Sequence, residues 1–320
     1  MKDEGWVAET PQENDLQDLL ALFRECFQEE MTPEFWRWKY ALGEDASWLV
    51  RSQGQVVAYH GAVARAVRAL GEEKSVLYDG DVMVKPSRRW AGGKRGMFYR
   101  ITRLLFEKEI LPAGKRWLAF GFPHERHARL GKKLGLYKEI SRVVEFSFSP
   151  RRQGFWWRGE RIASLSGERE ARILLKSWEA MAKDLQGAVV MARAPEFYRR
   201  RVFGRPGNAY ETWIVRGRLG GAAGVLVLAR HAQGLEISDW VGPRQGVEAA
   251  LAVACARARE VLAPRVMAWA SYPFAPLWRP HATEEKGIEG CLVVNDYPVP
   301  FDENTLGEGW WFSPLDTDFR

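Results

Sequence analysis

Asp79-Gly80-Asp81-Val82-Met83-Val84-Lys85-Pro86-Ser87-Arg88-Arg89-Trp90-Ala91-Gly92-Gly93-Lys94-Arg95-Gly96-Met97-Phe98-Tyr99, continuing as RITRLLF to residue 106, reads as a strand, a turn rich in Gly and Arg, and an amphipathic helix. Gly92, Gly93 and Gly96 let backbone amides approach a ligand closely. The first amides of the helix have no intrahelical partner and lie at the positive end of its dipole. Together they make an anion site, for which a pyrophosphate is a natural guest. Arg88, Arg89, Lys94 and Arg95 add positive charge. The stretch contains neither GxxxxGK[ST] nor GxGxxG, so it is not one of the common nucleotide fingerprints.

On either side the pattern continues. Residues 15–40 open with DLQDLLALFRECF, which places Leu16, Leu19, Leu20, Phe23 and Phe27 on one helical face, and go on to PEFWRWKY. Residues 48–70 read as two strands joined by Ser52-Gln53-Gly54. Residues 117–140, WLAFGFPHERHARLGKKLGLYKEI, give a strand, a Pro-containing turn, a helix and a further strand.

In this order the segments resemble the GNAT (GCN5-related N-acetyltransferase) superfamily, over about residues 1–145. The run VxVxP, then Arg, then Gly, then helix resembles that family's coenzyme A loop. There, loop amides bind the pyrophosphate of acetyl-CoA and the preceding strand lies beside the pantetheine arm. The usual spacing is Arg or Gln, two residues, Gly, one residue, then Gly or Ala. Here Arg89 is followed by Gly92 at the right distance, but Lys94 stands where the next small residue belongs. With Gly96 opening the helix, the loop is about four residues longer than the family form. The segment FPHERHARLGKKLGLY resembles the family's "FPN…KLGF", with His124 in place of Asn.

The resemblance implies an N-acyltransferase that uses acetyl-CoA or another acyl-CoA as co-substrate. The acceptor would be an amine on a small molecule, sugar or peptide. It implies that Met83, Val84, Arg88, Arg89, Gly92, Gly93, Lys94, Arg95, Gly96 and Met97 hold the cofactor. Acyl transfer from a thioester needs positioning, a deprotonated amine and donors toward the carbonyl oxygen. A carboxylate or a water chain serves as base, and a Tyr can protonate the departing thiolate. Tyr137 lies near the position of the family's Tyr, and Asp79, Asp81 and Glu125 are carboxylates near the expected cleft; Tyr137, Asp81 and Glu125 are the catalytic candidates. A GNAT-like fold can outlive its catalysis, so a non-catalytic binding module is the alternative.

The second half repeats the order of elements. Composition shifts at SPRRQGFWWRGE, placing a boundary between 1–147 and 148–320. A helix over 166–186 is followed by strands at 188–193, 223–230 and 235–242, a helix at 245–262, and strands at 266–271 and 290–298. EFYRRRVFGRPGNAY parallels PEFWRWKYALGEDASW. The expected fold is therefore α/β (α+β). It consists of two tandem GNAT-like domains, each a mixed, mostly antiparallel sheet flanked by helices. DWVGPRQGVEAA in the second copy lacks the long basic loop, with Arg244 its only local cation, so this copy is expected to have no cofactor site of its own. The ending GEGWWFSPLDTDFR resembles the tail of some tandem GNAT-like proteins.

Composition bounds the rest. The chain has 320 residues, 46% of them hydrophobic, enough for a substantial core. Among 15 Trp, the pairs Trp36/Trp38 and Trp310/Trp311 are candidates to line a groove. A net charge of +6 and a pI of about 9.2 suit an anionic ligand. No nucleic-acid-binding signature occurs, and Arg151-Arg152 and Arg199-Arg200-Arg201 read as surface charge. His124 and His127 share a helix face but have no evident third ligand, and Cys26, Cys255 and Cys291 lack metal spacing, so no metal is expected. Sparse, odd cysteines, a polar opening MKDEGWVAETPQEND and the lack of an apolar run of about 18 residues point to the cytoplasm and away from membranes. No HExxH or GxSxG motif supports a hydrolase.

Overall fold

A few backbone conformations cut the first half into its elements. Gln53 and Gly54, at φ 52° and 78°, form the tight turn read from the sequence, and Leu70 and Gly71, at φ 52° and 84°, form a second. Thr32 caps a helix, its hydroxyl accepting from the Phe35 amide at 3.1 Å, with Pro33 in the first turn. The computed structural model describes residues 5–40, 46–89, 92–110, 116–150, 156–207, 210–217 and 219–317. Arg151-Arg152 lie outside them.

The elements are β1 (Trp6–Glu9), α1 (Leu16–Phe27), α2 (Pro33–Lys39), β2 (Trp48–Ser52), β3 (Gln55–Ala69), β4 (Glu72–Val84), α3 (Met97–Glu109), β5 (Ala119–Gly121), α4 (Glu125–Lys133) and β6 (Tyr137–Phe148). Then come β7 (Trp157–Ile162), α5 (Glu168–Asp184), β8 (Val189–Met191), α6 (Pro195–Tyr198), β9 (Tyr210–Gly217), β10 (Ala222–His231), β11 (Gly234–Val241), α7 (Val247–Glu260), β12 (Val266–Ser271), β13 (Glu284–Asn295) and β14 (Trp310–Trp311). The chain divides into two compact units. Unit 1 is Met1–Ala66, Lys74–Ile140 and Gly290–Glu303; unit 2 is Val67–Glu73, Ser141–Glu289 and Asn304–Arg320. The boundary expected after residue 147 lies at the end of β6, whereas the units part at 140/141 and recross at 289/290.

Unit 1 orders its strands β1-β2-β3-β4-β5-β13. β1–β2, β2–β3 and β5–β13 are antiparallel, while β4–β5 is parallel because α3 carries the chain back between them. One core layer joins Leu16, Leu19 and Phe23 of α1 to Trp36, Tyr40, Tyr59 and Met83. Another joins Leu105 and Phe106 of α3 to Leu77, Ala119, Leu136, Tyr137 and Val293. Leu22 is buried on α1 while Phe27 is 42% exposed, because the helix ends there and Gln28 turns left-handed at φ 60°.

Unit 2 repeats the plan as β6-β12-β11-β10-β9-β7. Its only parallel pair among the described residues of that series is β11–β12, bridged by α7. β8 pairs with the end of β3 and with β14. The strand beside β5 in unit 1 is thus the end of β13, and the strand beside β12 in unit 2 is the end of β6. Trp36, Trp38, Trp310 and Trp311 are all buried, and of the four Trp311 also lines a small cavity in unit 2 with Trp240, Trp269 and Trp278. Arg201 is also buried and donates to the Thr317 carbonyl, so the run Arg199-Arg200-Arg201 is only partly surface charge.

Candidate active site

The β4–β5 ladder is short. Leu77 pairs with Ala119 and Tyr78 with Phe120, after which β5 ends at Gly121 while β4 runs on to Val84. The two parallel strands therefore fork just past Tyr78. Asp79 is the first residue of β4 beyond the paired region, and it packs against Gly121: a Cβ there would stand 3.4 Å from the Asp79 Cβ.

Beyond the fork, Met83 and Val84 are buried in the core. Pro86–Arg88 and Gly93–Arg95 each form a single 3-10 turn, and Gly93 adopts φ 65°. Arg88 is partly exposed, and Arg89, Gly92, Gly93, Lys94 and Arg95 are exposed. Arg89 Nε donates to the Val84 carbonyl at 2.8 Å, and Lys94 Nζ stands 5.8 Å from the Tyr99 ring centre. Gly96 and Met97 are buried. Gly96 opens α3 with no side-chain cap, so the amides of the first helical turn keep no intrahelical partner. Exposed cations around a helix start without a competing carboxylate cap fit an anionic pyrophosphate.

A polar cluster lies inside unit 1 at the fork. His60 (β3) is fully buried, and its Nε2 is 3.7 Å from Asp79 Oδ1. Neither His60 nitrogen, nor Asp79 Oδ1, nor His127 Nε2 of α4 has a hydrogen-bond partner among the described residues, and Thr102 of α3 stands beside the Tyr137 hydroxyl. Tyr137 of β6 is buried within ring contact of His127, Phe98 and Phe106, at 5.9, 6.3 and 6.3 Å. Burial, and then the Asp79 charge, push the Tyr137 phenol well above its ordinary range. Burial, and then the His60 imidazole, pull His127 down to about 4, so it is neutral at pH 7. Leaving a buried polar atom unpaired costs about 1–3 kcal/mol, so this group is an expensive feature of the unit 1 interior.

The sequence candidates fall in different settings. Asp81 Oδ2 receives Lys39 Nζ at 2.6 Å and the Tyr40 hydroxyl at 3.0 Å, while the Asp81 amide donates to that hydroxyl at 2.9 Å. Tyr40 reaches it between two glycines: a Cβ at Gly61 or Gly80 would stand 2.5 or 2.4 Å from its oxygen. Asp81 is thus closed in a clamp. Glu125 is 57% exposed and faces Arg129 at 3.7 Å. His124 is the exposed cap of α4, its Nδ1 accepting from the Arg126 amide, so it does not pair with His127. No group of three possible metal ligands occurs among the described residues. Tyr137 joins the cluster; Asp81 and Glu125 are held elsewhere. His60 was the residue to notice in the sequence, as a lone imidazole in VVAYHGAV, whose residues 56–63 are all buried.

Unit 2 carries the clamp without the open loop. Tyr198 donates to Asp239 Oδ2 at 2.6 Å, and Arg193 Nε meets the same oxygen at 2.7 Å. Where unit 1 has its basic loop, the Trp240 ring covers the turn: Cβ atoms at Gly242 and Gly246 would each stand 2.5 Å from it. Arg244 is paired with Asp184 and Glu308.

Residues 8–135 match the family model of the acetyltransferase (GNAT) domain. No curated protein matches the chain. Solved structures do. A probable N-acyltransferase from Enterococcus faecalis gives a TM-score of 0.69 at 14% identity, covering 90% of this chain and 72% of that one. A GCN5-related N-acetyltransferase from Kribbella flavida gives 0.65 at 14%, covering 90% and 70%. N-myristoyltransferase from Saccharomyces cerevisiae with bound myristoyl-CoA gives 0.60 at 10%, covering 92% and 83%. The chain thus carries a GNAT domain at residues 8–135, within a fold it shares with solved N-acyltransferases.

Proposed function

We propose that unit 1 binds an acyl-CoA and transfers its acyl group to an amine on a small molecule, sugar or peptide. The main support is the β4–β5 fork, which opens immediately before the basic loop and the uncapped start of α3. On this reading the pyrophosphate sits on the amides of Lys94, Arg95 and Met97, with Arg88, Arg89 and Lys94 around it, the Gly96 amide being held by the Gly93 carbonyl at 3.1 Å. The pantetheine arm runs beside β4, and the thioester reaches the fork. The amine attacks the thioester carbon, the C–S bond breaks, and the thiolate takes a proton. Tyr137, whose phenol keeps its proton at neutral pH, is the donor in reach of the cluster. Unit 2 holds no CoA, because Trp240 and the paired Arg244 occupy the corresponding turn.

Calorimetric titration with CoA tests the site. Arg89→Ala should weaken binding by about 1.5–3 kcal/mol through loss of a charge-assisted contact. Gly96→Val should weaken it further. Gly96 adopts φ −69° and ψ 151°, which any residue tolerates, so the loss would report ligand approach rather than backbone strain. If both variants bind CoA as the parent does, the pyrophosphate lies elsewhere.

A further inference from the structure

We infer that Asp79 and His60 form a proton-holding pair at the fork, which recognises a cationic amine acceptor and takes its proton. This rests on the acyl-transfer reading above and names its base. β4 carries two aspartates separated by one glycine, and their surroundings differ. Asp81 is neutralised by Lys39 and satisfied by Tyr40. Asp79 has no Lys or Arg partner among the described residues, and its one near neighbour of possible positive charge is His60. Its side chain is 10% exposed while that of His60 is fully buried, so Asp79 faces the fork and His60 stands behind it.

Around the pair stand Thr102 of α3, His127 of α4 and Tyr137 of β6, with Gly121 of β5 against Asp79. At neutral pH His127 and Tyr137 carry no charge, so neither offsets the Asp79 carboxylate. A buried carboxylate without a partner is costly, and an ammonium at the fork offsets that cost. Such a charge favours protonated amines over neutral acceptors.

The reaction balances. The ammonium gives one proton through Asp79 Oδ1 to His60 Nε2, and the resulting imidazolium is held by the Asp79 carboxylate. The free amine forms the C–N bond and the C–S bond breaks. As the amide forms, the second nitrogen proton leaves to solvent; Tyr137 protonates the thiolate and recovers its proton from the His60 imidazolium, so one proton ends on the thiol and one in solvent.

Amine-dependent thiol release is measured across the neutral pH range for the parent, Asp79→Asn, His60→Gln and Tyr137→Phe, with acyl-CoA binding followed by calorimetry. Asp79→Asn should lose about 100-fold or more in kcat, and His60→Gln should lose less but shift the acidic limb of the pH profile. Both should bind acyl-CoA as the parent does. Unchanged kcat and an unchanged acidic limb in both variants would overturn the pair while leaving acyl transfer standing. A parent that neither binds acyl-CoA nor turns over would overturn the acyl-transfer reading and the pair with it. If His60→Gln does not fold, Asp79→Asn decides: an unchanged limb there rejects the pair.

Discussion

Asp79 and Asp81 are chemically identical and two positions apart, yet one is locked and the other is left bare. The difference lies in Lys39 and Tyr40, which come from the end of α2 and become neighbours of Asp81 only after folding. Periodicity reports the face of a strand, not who waits on it, so the choice of Asp81 as a catalytic candidate was open from sequence. Asp81→Ala should take from Lys39 and Tyr40 the carboxylate they are bonded to and cost about 1.5–3 kcal/mol in urea unfolding. Glu125→Gln, on an exposed helix face, should stay within about 0.5 kcal/mol; a large loss there would show that Glu125 has a role its surroundings do not display. His127 supplies a pH test. Its folded pKa, about 4, is below the ordinary value of 6.5, so the unfolded chain binds more protons between those values. Stability should be complete above pH 6.5 and fall as the pH drops toward 4, by up to about 3 kcal/mol. His127→Phe, placed among Phe98 and Tyr137, should flatten that slope in urea titrations at successive pH values; an unchanged slope would mean that another group carries it.

Elements were more legible than sites. Ser52-Gln53-Gly54 and the apolar runs gave β2, β3, α1, α3 and α7 close to their observed bounds, because turn chemistry and hydrophobic period act locally. Strand partnership was not legible. β13 completes the unit 1 sheet through Val293 and Val294 beside Gly121 and Phe120, and Asn295 Oδ1 accepts from the Ala119 amide at 2.7 Å. Nothing in GCLVVNDYP names β5 as its neighbour. This strand carries a prediction about the fragment 1–147, which ends where a sequence boundary was expected. Without Gly290–Glu303 its β5 edge loses that hydrogen bond and the cover of Val293. It should show no cooperative urea transition by circular dichroism under conditions where the full chain does. A cooperative transition would show that residues 290–303 are dispensable to unit 1.

Across the whole molecule, one plan is used twice and then specialised. Each unit has a parallel strand pair bridged by a crossing helix, and each closes an aspartate on the strand before that helix with a Tyr and a cation. Unit 1 adds the basic loop and the bare Asp79; unit 2 covers the same turn with Trp240. The duplicated order was visible in PEFWRWKY and PEFYRRR, whereas the specialisation depends on which side chains meet. No described helix is long and apolar enough to cross a membrane. The account stands or falls on turnover. A panel of amines incubated with acyl-CoAs, with free thiol as the readout, should show release that depends on both the amine and the intact loop. Binding of acyl-CoA with no amine-dependent thiol release from any pair would contradict it and favour a GNAT-like binding module.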